Sequence, residues 1–154
     1  MVLKQVQEKD YIHLVKLYKS FFRIHNIFSG NKNVILKYLK EQAQKNELIV
    51  FEEKSSISGA LYLVNFGQND DGSHKLWKFR HFAFDSNNIA LKMLNEAEKR
   101  VKRASKTSKI ELTIAENEVG IEFYKNNGYR IEGQLTHHYR YGETCYILAK
   151  GFKR

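Results

Sequence analysis

The sequence contains no proline and only one cysteine, Cys145. Average usage of about 5% predicts several prolines in a chain of this length; we read their absence as compositional bias and draw no function from it. A lone cysteine excludes an internal disulfide. No apolar run approaches the roughly 18 residues needed to cross a bilayer, and the opening MVLKQVQEKD lacks the continuous apolar stretch of a secretory signal. These absences lead to the expectation of a soluble, cytoplasmic protein without a membrane partner. No internal repeat, low-complexity tract or linker divides the chain, so a single domain over residues 1–154 is expected. No Cys or carboxylate spacing completes a four-ligand metal set with the His137 and His138 pair. His137 and His138 are neighbours on an expected strand and point apart.

The chain does carry a strong positive charge: 26 Lys and Arg against 17 Asp and Glu, a net +9. Such a balance favours anionic partners, including nucleotides, acidic proteins and nucleic acid, without choosing among them. Apolar residues make up 42% and aromatics 13%, enough for a packed core and against disorder.

Hydrophobic periodicity predicts a first strand over Val2 to Gln7. A helix capped by Asp10 follows, carrying Tyr11, Leu14, Val15, Tyr18, Phe21 and Phe22 and ending before Gly30. A second helix is expected from Asn33 to about Gln44, with Val34, Leu36, Tyr38 and Leu39 as its apolar positions. The period then changes to that of strands in ELIVFEE from Glu47, SGALYLVNF from Ser58 and HKLWKFRHFAF from His74. The separating clusters KSSIS and QNDDGS read as turns, with Asp71 and Gly72 a hairpin signal. A helix over Asn87 to Ala104 buries Ile89, Ala90, Leu94, Ala97 and Val101, and the strand KIELTIA and a short helix come next. Strands over Tyr129 to Gln134 and His138 to Lys150 complete the order. The helical crossover between His74 and Ala115 is long enough to return the chain, so that passage is expected to form a parallel pair inside an otherwise antiparallel sheet.

The segment ENEVGIEFYKNNGY, Glu116 to Tyr129, is the most informative. Asn117 can cap a helix, Glu118 favours the positive end of its dipole, and Gly128 suits the left-handed residue that ends it. The spacing of Asn117, Gly120, the Phe123 and Tyr124 pair, and Gly128 with Tyr129 resembles the C-terminal signature of the GNAT superfamily of acyl-CoA-dependent N-acetyltransferases. The resemblance implies an α+β fold with a mixed, mostly antiparallel sheet of about seven strands, a splayed parallel central pair and helices on both faces.

The same resemblance implies that acetyl-CoA, the co-substrate, lies between HFAF and LTIA, bringing Phe82 and Phe84 to the cofactor with Asn117 at its edge. Tyr124 would protonate the departing thiolate while backbone amides stabilise the oxyanion; a core aromatic with a satisfied hydroxyl is the alternative reading. For Asn117, a plain helix cap is the alternative. The pyrophosphate loop departs from the family: where a Gln or Arg and glycines are usual stand Asp85, Ser86, Asn87, Asn88, Ile89 and Ala90, of which only Ala90 matches. Asn87 and Asn88 can take the left-handed conformation glycine supplies and lie at a helix start, so a reduced phosphate nest remains, opposed by the Asp85 carboxylate. Lys92 and Lys125 are candidates to offset it, and ordinary solvent-facing lysines otherwise.

Many N-terminal acetyltransferases of this superfamily carry a glutamate five positions before the asparagine. Leu112 stands there, with Glu111 beside it as the candidate base, although adjacent strand residues face opposite sides. Glu116, Asp85 and His81 are the alternatives. The ending HHYRYGETCYILAKGF resembles the last strands of ribosomal-protein-type N-terminal acetyltransferases, and implies an acceptor groove lined by His25, Phe28, Tyr139 and Tyr141. These aromatics are equally read as core or rim residues.

The resemblance thus implies transfer of an acetyl group from acetyl-CoA to a primary amine, a protein or peptide N-terminus or another small amine. No metal is expected, and monomer and homodimer stay open. Two other classes remain: a GNAT-fold binding or regulatory module that has lost acetyl-CoA use, and a nucleic-acid binder using the stripe Lys99, Lys102, Arg103 and Lys106. Cys145, mid-strand between Thr144 and Tyr146, reads as a small buried side chain rather than a nucleophile.

Overall fold

The computed structural model describes residues 2–22, 27–116, 118 and 120–154. Seven strands form one sheet: β1 (Val2–Lys4), β2 (Glu47–Glu53), β3 (Ser56–Gln68), β4 (His74–Phe84), β5 (Thr107–Ala115), β6 (Arg130–Thr136) and β7 (Thr144–Lys153), in the order β1-β2-β3-β4-β5-β7-β6. The helices are α1 (Tyr11–Phe21), α2 (Lys32–Lys45), α3 (Asn87–Ala104) and α4 (Ile121–Asn126). The mixed α+β architecture matches expectation, and the parallel pair is β4 with β5. Its register runs from His74↔Thr107 to Lys78↔Glu111.

Two compact units are distinguished, Met1–Val64 with Phe79–Lys99, and Asn65–Lys78 with Arg100–Arg154. In the first, strand alternation sends successive side chains to opposite faces. Ala60 and Tyr62 join Leu14, Val15, Leu17 and Tyr18 of α1 and Ile35 and Leu39 of α2 in one buried cluster. Gly59, on the other face of β3, lies against α3, where a Cβ would meet Met93 Sδ at 2.3 Å and Ile89 Cγ2 at 2.6 Å. Helices therefore cover both faces of this unit. In the second unit, β5 and β7 pair antiparallel along their length from Thr107↔Lys153 to Ala115↔Cys145, and β6 lies outside β7. Cys145 is fully buried.

Several boundaries differ from expectation for identifiable reasons. The first strand stops at Lys4 because the chain turns at Gln7, whose amide donates to Asp10 Oδ2 at 2.8 Å, into a 3-10 turn over Glu8–Asp10. Asp10 stands at the N-cap of α1 but makes no side-chain cap bond, its carboxylate being taken by that turn. On α2 the buried positions are Ile35 and Leu39, whereas Val34 is 58% exposed. β3 begins two residues early because Lys54 and Ser55 make the whole turn, with φ of 51° and 61° between the paired Glu53 and Ser56. A two-residue type I′ turn needs positive φ at both centres. Gly72 does adopt a left-handed φ of 71°, but within the longer connection 69–73, where Asn69 Oδ1 accepts from His74 N at 2.9 Å.

Candidate functional site

Tyr124 is held where β5 gives way to α4. After Ala115 the chain closes on itself: Glu118 N donates to Ala115 O at 3.0 Å, and Glu118 Oε2 accepts from Ala115 N at 3.2 Å. The helix consequently starts later than expected, at Ile121, with Gly120 as its N-cap at φ 134°. A left-handed φ is costly for any residue with a Cβ, and one here would also touch Ile114 Cδ1 and Tyr124 Cε2 at 3.5 and 3.7 Å. Asn117 lies outside the described residues, as does His25. Gly128 ends the helix at φ 89°, as the sequence predicts.

The Tyr124 ring is 6% exposed and packs edge-on against Phe123 and Tyr129. Burial, and then the nearby Glu118 carboxylate, raise its pKa well above that of an ordinary phenol. Burial also raises Glu118, with Glu143 adding to the rise and Arg140 opposing it. Tyr124 thus stays protonated over the working range of pH, the state a proton donor needs.

Glu111 is placed differently. It alternates on β5 with Leu112 and Ile114, and its carboxylate is 3.2 Å from Lys78 Nζ. Ile114, next to Gly120 and α4, projects from the other face of the strand. Glu111 and Tyr124 are therefore not brought together by β5.

The cofactor candidates of the first unit surround the start of α3. Phe82 is buried and contacts Phe79 and Phe84. Ser86 caps the helix, its hydroxyl accepting from Ile89 N at 3.3 Å and its carbonyl from Ala90 N at 3.0 Å. Ala90 is fully buried, while Asn87 and Asn88 are exposed in the first turn, at the positive end of an 18-residue helix. That position suits a phosphate. Asp85 opposes it, although burial raises its carboxyl pKa, with a Ser58 hydrogen bond lowering it and Glu53 adding to the rise. The residues present fit a pyrophosphate at a reduced number of amides.

Of the acceptor-groove candidates, Phe28 is 2% exposed and belongs to the aromatic core of the first unit. Tyr139 and Tyr141 are 63% and 92% exposed in the second. Residues 137–143 form turns rather than the expected strand, because His137 and Gly142 are left-handed at φ 55° and 84°. Gly142 N donates to His137 Nδ1 at 2.8 Å, and the His137 ring stacks on Tyr141 at 4.2 Å. Arg140 pairs with the buried Glu143.

The sequence named His81 only as an alternative base and did not anticipate its surroundings. It sits in β4 at φ 53°, a left-handed conformation that costs a non-glycine residue about 1–3 kcal/mol. Tyr18 Oη donates to its carbonyl at 2.8 Å, and Tyr38 Oη lies 2.5 Å from its Nε2. Phe28 packs edge-on against the ring at 4.9 Å. Burial, with Arg80 adding to it, lowers the imidazole pKa to about 4. The only sequence signal was the abundance of aromatics on two early helices.

No protein-family profile and no curated protein matches this sequence. Solved structures do. An aminoglycoside 6'-N-acetyltransferase from Enterococcus faecium superposes with a TM-score of 0.77 at 15% identity, covering 100% of this chain and 99% of that one. A ribosomal-protein-alanine N-acetyltransferase from Brucella melitensis gives 0.69 at 14% identity, covering 97% and 99%. An Arabidopsis thaliana protein in complex with the bisubstrate analogue CoA-Ac-MVNAL gives 0.73 at 19% identity, covering 98% of each chain. The chain has the GNAT acetyltransferase fold. No described helix is long and apolar enough to cross a membrane.

Proposed function

We propose that this protein transfers an acetyl group from acetyl-CoA to a primary amine, either a protein or peptide N-terminus or another small amine. The observation that carries the reading is the buried, protonated phenol of Tyr124 at the β5–α4 junction of a GNAT fold. Acetyl-CoA supplies an activated acetyl thioester. The amides of Asn87 and Asn88 would hold its pyrophosphate with the α3 dipole behind them. Tyr124 donates its proton to the departing thiolate sulfur and regains one from solvent. Burial, and after it the Glu118 carboxylate, keeps the phenol from ionising in the resting state.

Replacing Tyr124 by Phe keeps the ring and removes the proton. Release of free CoA thiol in the presence of a primary amine should fall by about 100-fold or more in this variant, with acetyl-CoA affinity retained. Unchanged turnover would remove Tyr124 from the chemistry.

A second reading, a GNAT-fold binding module without acetyl transfer, is favoured by Asp85 and by the use of α3 amides in the Ser86 cap. It predicts a wild-type protein with no amine-dependent thiol release at any pH.

A further inference from the structure

We propose that the second unit carries a nucleic-acid-binding surface where α3 gives way to β5, built by Lys75, Lys102, Arg103, Lys106, Lys150 and Arg154 around Phe152. It holds the phosphate backbone of a strand without reading its sequence. Nothing in it depends on acetyl transfer.

Backbone pairing assembles this surface from residues far apart in sequence. Arg154 N donates to Lys106 O at 2.9 Å and Arg154 Nη1 to Arg103 O at 3.4 Å, which brings Arg154 onto the end of α3. Within the sheet, Ser108 pairs with Lys75 of β4 on one side and with Phe152 of β7 on the other. Directly opposed residues share a face, so Lys75 and Phe152 flank Ser108 on one side of the sheet. Lys150, two residues before Phe152, lies on the same side. Lys102 of α3 comes down on that side, its Nζ 5.1 Å from the centre of the Phe152 ring, and Lys150 Nζ stands 5.4 Å from the same ring. The ring quadrupole attracts both ammonium groups and so holds two like charges at one place.

The carboxylates of this unit are engaged elsewhere. Strand alternation puts Lys78, Lys109 and Glu111 on the side of the sheet opposite Ser108. There Glu111 pairs with Lys78, and Glu132 with Lys109. Glu122 pairs with Lys125 on α4, and Glu143 with Arg140. Asp71 is turned into its own connection, where Oδ1 accepts from Ser73 N at 2.9 Å. Among the described residues, Lys75, Arg103, Lys106 and Arg154 have no carboxylate partner, and the last three are exposed. Positive potential is therefore concentrated at this end of the unit.

Nucleic acid is the polyanion that such a surface fits. A protein partner is recognised through an apolar centre within a polar rim, whereas the aromatic present here, Phe152, has its ring beneath two lysines. A phosphate backbone is bound by cations and polar groups, at interfaces far more positive than those between proteins. Arginine forks match phosphate oxygens two at a time, and Arg154 is anchored on the Arg103 backbone. The surface also stands apart from Tyr124. β5 begins at Thr107 and ends at Ala115, beyond which the chain leads to α4, so roughly 25 Å of extended strand lies between them.

Fluorescence anisotropy of the full chain with a labelled single-stranded RNA and a labelled DNA duplex, both of mixed sequence, tests this over a series of KCl concentrations. Neutralising about five phosphates predicts that log K falls against log salt with a slope of about −3 to −4 for the single strand and about −4 to −5 for the duplex. The combined variant Arg103→Gln, Lys106→Gln and Arg154→Gln should bind at least about tenfold more weakly at low salt and lose about 2 to 3 from the slope. Lys16→Gln, Lys32→Gln and Lys45→Gln together remove the same charge from exposed positions of the first unit and should leave the slope unchanged. These responses with either strand support the surface, and the tighter of the two names the strand it takes. A wild type that binds neither strand, an affinity insensitive to salt, or an equal loss in the two triple variants overturns it. Polyglutamate bound more tightly than both strands, and released by the first triple variant, overturns it too and makes the partner an acidic protein.

Discussion

The phenol oxygen of Tyr38 lies 2.5 Å from His81 Nε2 across a separation of 43 residues in sequence. The pairing ties α2 to a left-handed residue of β4 and makes the fold sensitive to acid. Burial lowers the His81 pKa to about 4 from an ordinary 6.5. Above pH 6.5 the ring is neutral in folded and unfolded chains alike. As pH falls through 6.5 the unfolded chain takes up a proton that the folded one refuses, and stability declines until the folded ring protonates near pH 4. The loss approaches about 3 kcal/mol. Urea midpoints at pH 7 and pH 4.5 should therefore differ more in the wild type than in His81→Gln; equal differences would show that His81 does not carry this linkage.

How much of this was legible in the sequence depends on distance along the chain. α3 was predicted over its full extent, because Ile89, Ala90, Leu94, Ala97 and Val101 recur at helical spacing and are all buried. The order of elements and the parallel β4–β5 pair followed from the same local periodicities. Turns were less legible. Lys54 and Ser55 carry none of the residue preferences of a primed turn, yet adopt it because the strands on either side pair. The start of α4 shifted because Glu118 bonds back to Ala115. The surroundings of His81 were legible only as an abundance of aromatics on the early helices, since Tyr18, Tyr38 and Tyr62 reach it from three separate elements.

Gly59 supplies a test of how closely α3 lies on β3. A Cβ there would stand 2.3 Å from Met93 Sδ and 2.6 Å from Ile89 Cγ2, both fully or almost fully buried. Met93 can shift, whereas a branched Ile89 has less freedom. Gly59→Ala should lower stability by about 1–3 kcal/mol, measured by chemical denaturation. A neutral or stabilising effect would mean that the two elements pack less tightly than described.

Asp85 is the residue most at odds with a phosphate at the start of α3. It precedes the exposed first turn of Asn87 and Asn88 in the chain, and its carboxylate is hydrogen-bonded to Ser58. Asp85→Asn removes the charge with little change in shape. Acetyl-CoA affinity should rise roughly three- to tenfold, and more at low salt. Weaker binding in this variant would show that the carboxylate supports the loop rather than opposing the ligand.

Gly128 closes α4 at φ 89°, with Lys150 Cε 3.3 Å from where a Cβ would stand. Gly128→Ala should cost about 1 kcal/mol or more in stability and loosen the helix that carries Tyr124. A parallel fall in acetylation rate at a temperature where the variant is still folded is the expected outcome.

Acetyl transfer requires that acetyl-CoA bind at all, and isothermal titration of the wild-type protein with acetyl-CoA measures this without assuming an acceptor. Saturable binding at one site per chain, in the micromolar range or tighter, is the predicted result. No heat of binding at millimolar acetyl-CoA would contradict the account and leave the fold with another use.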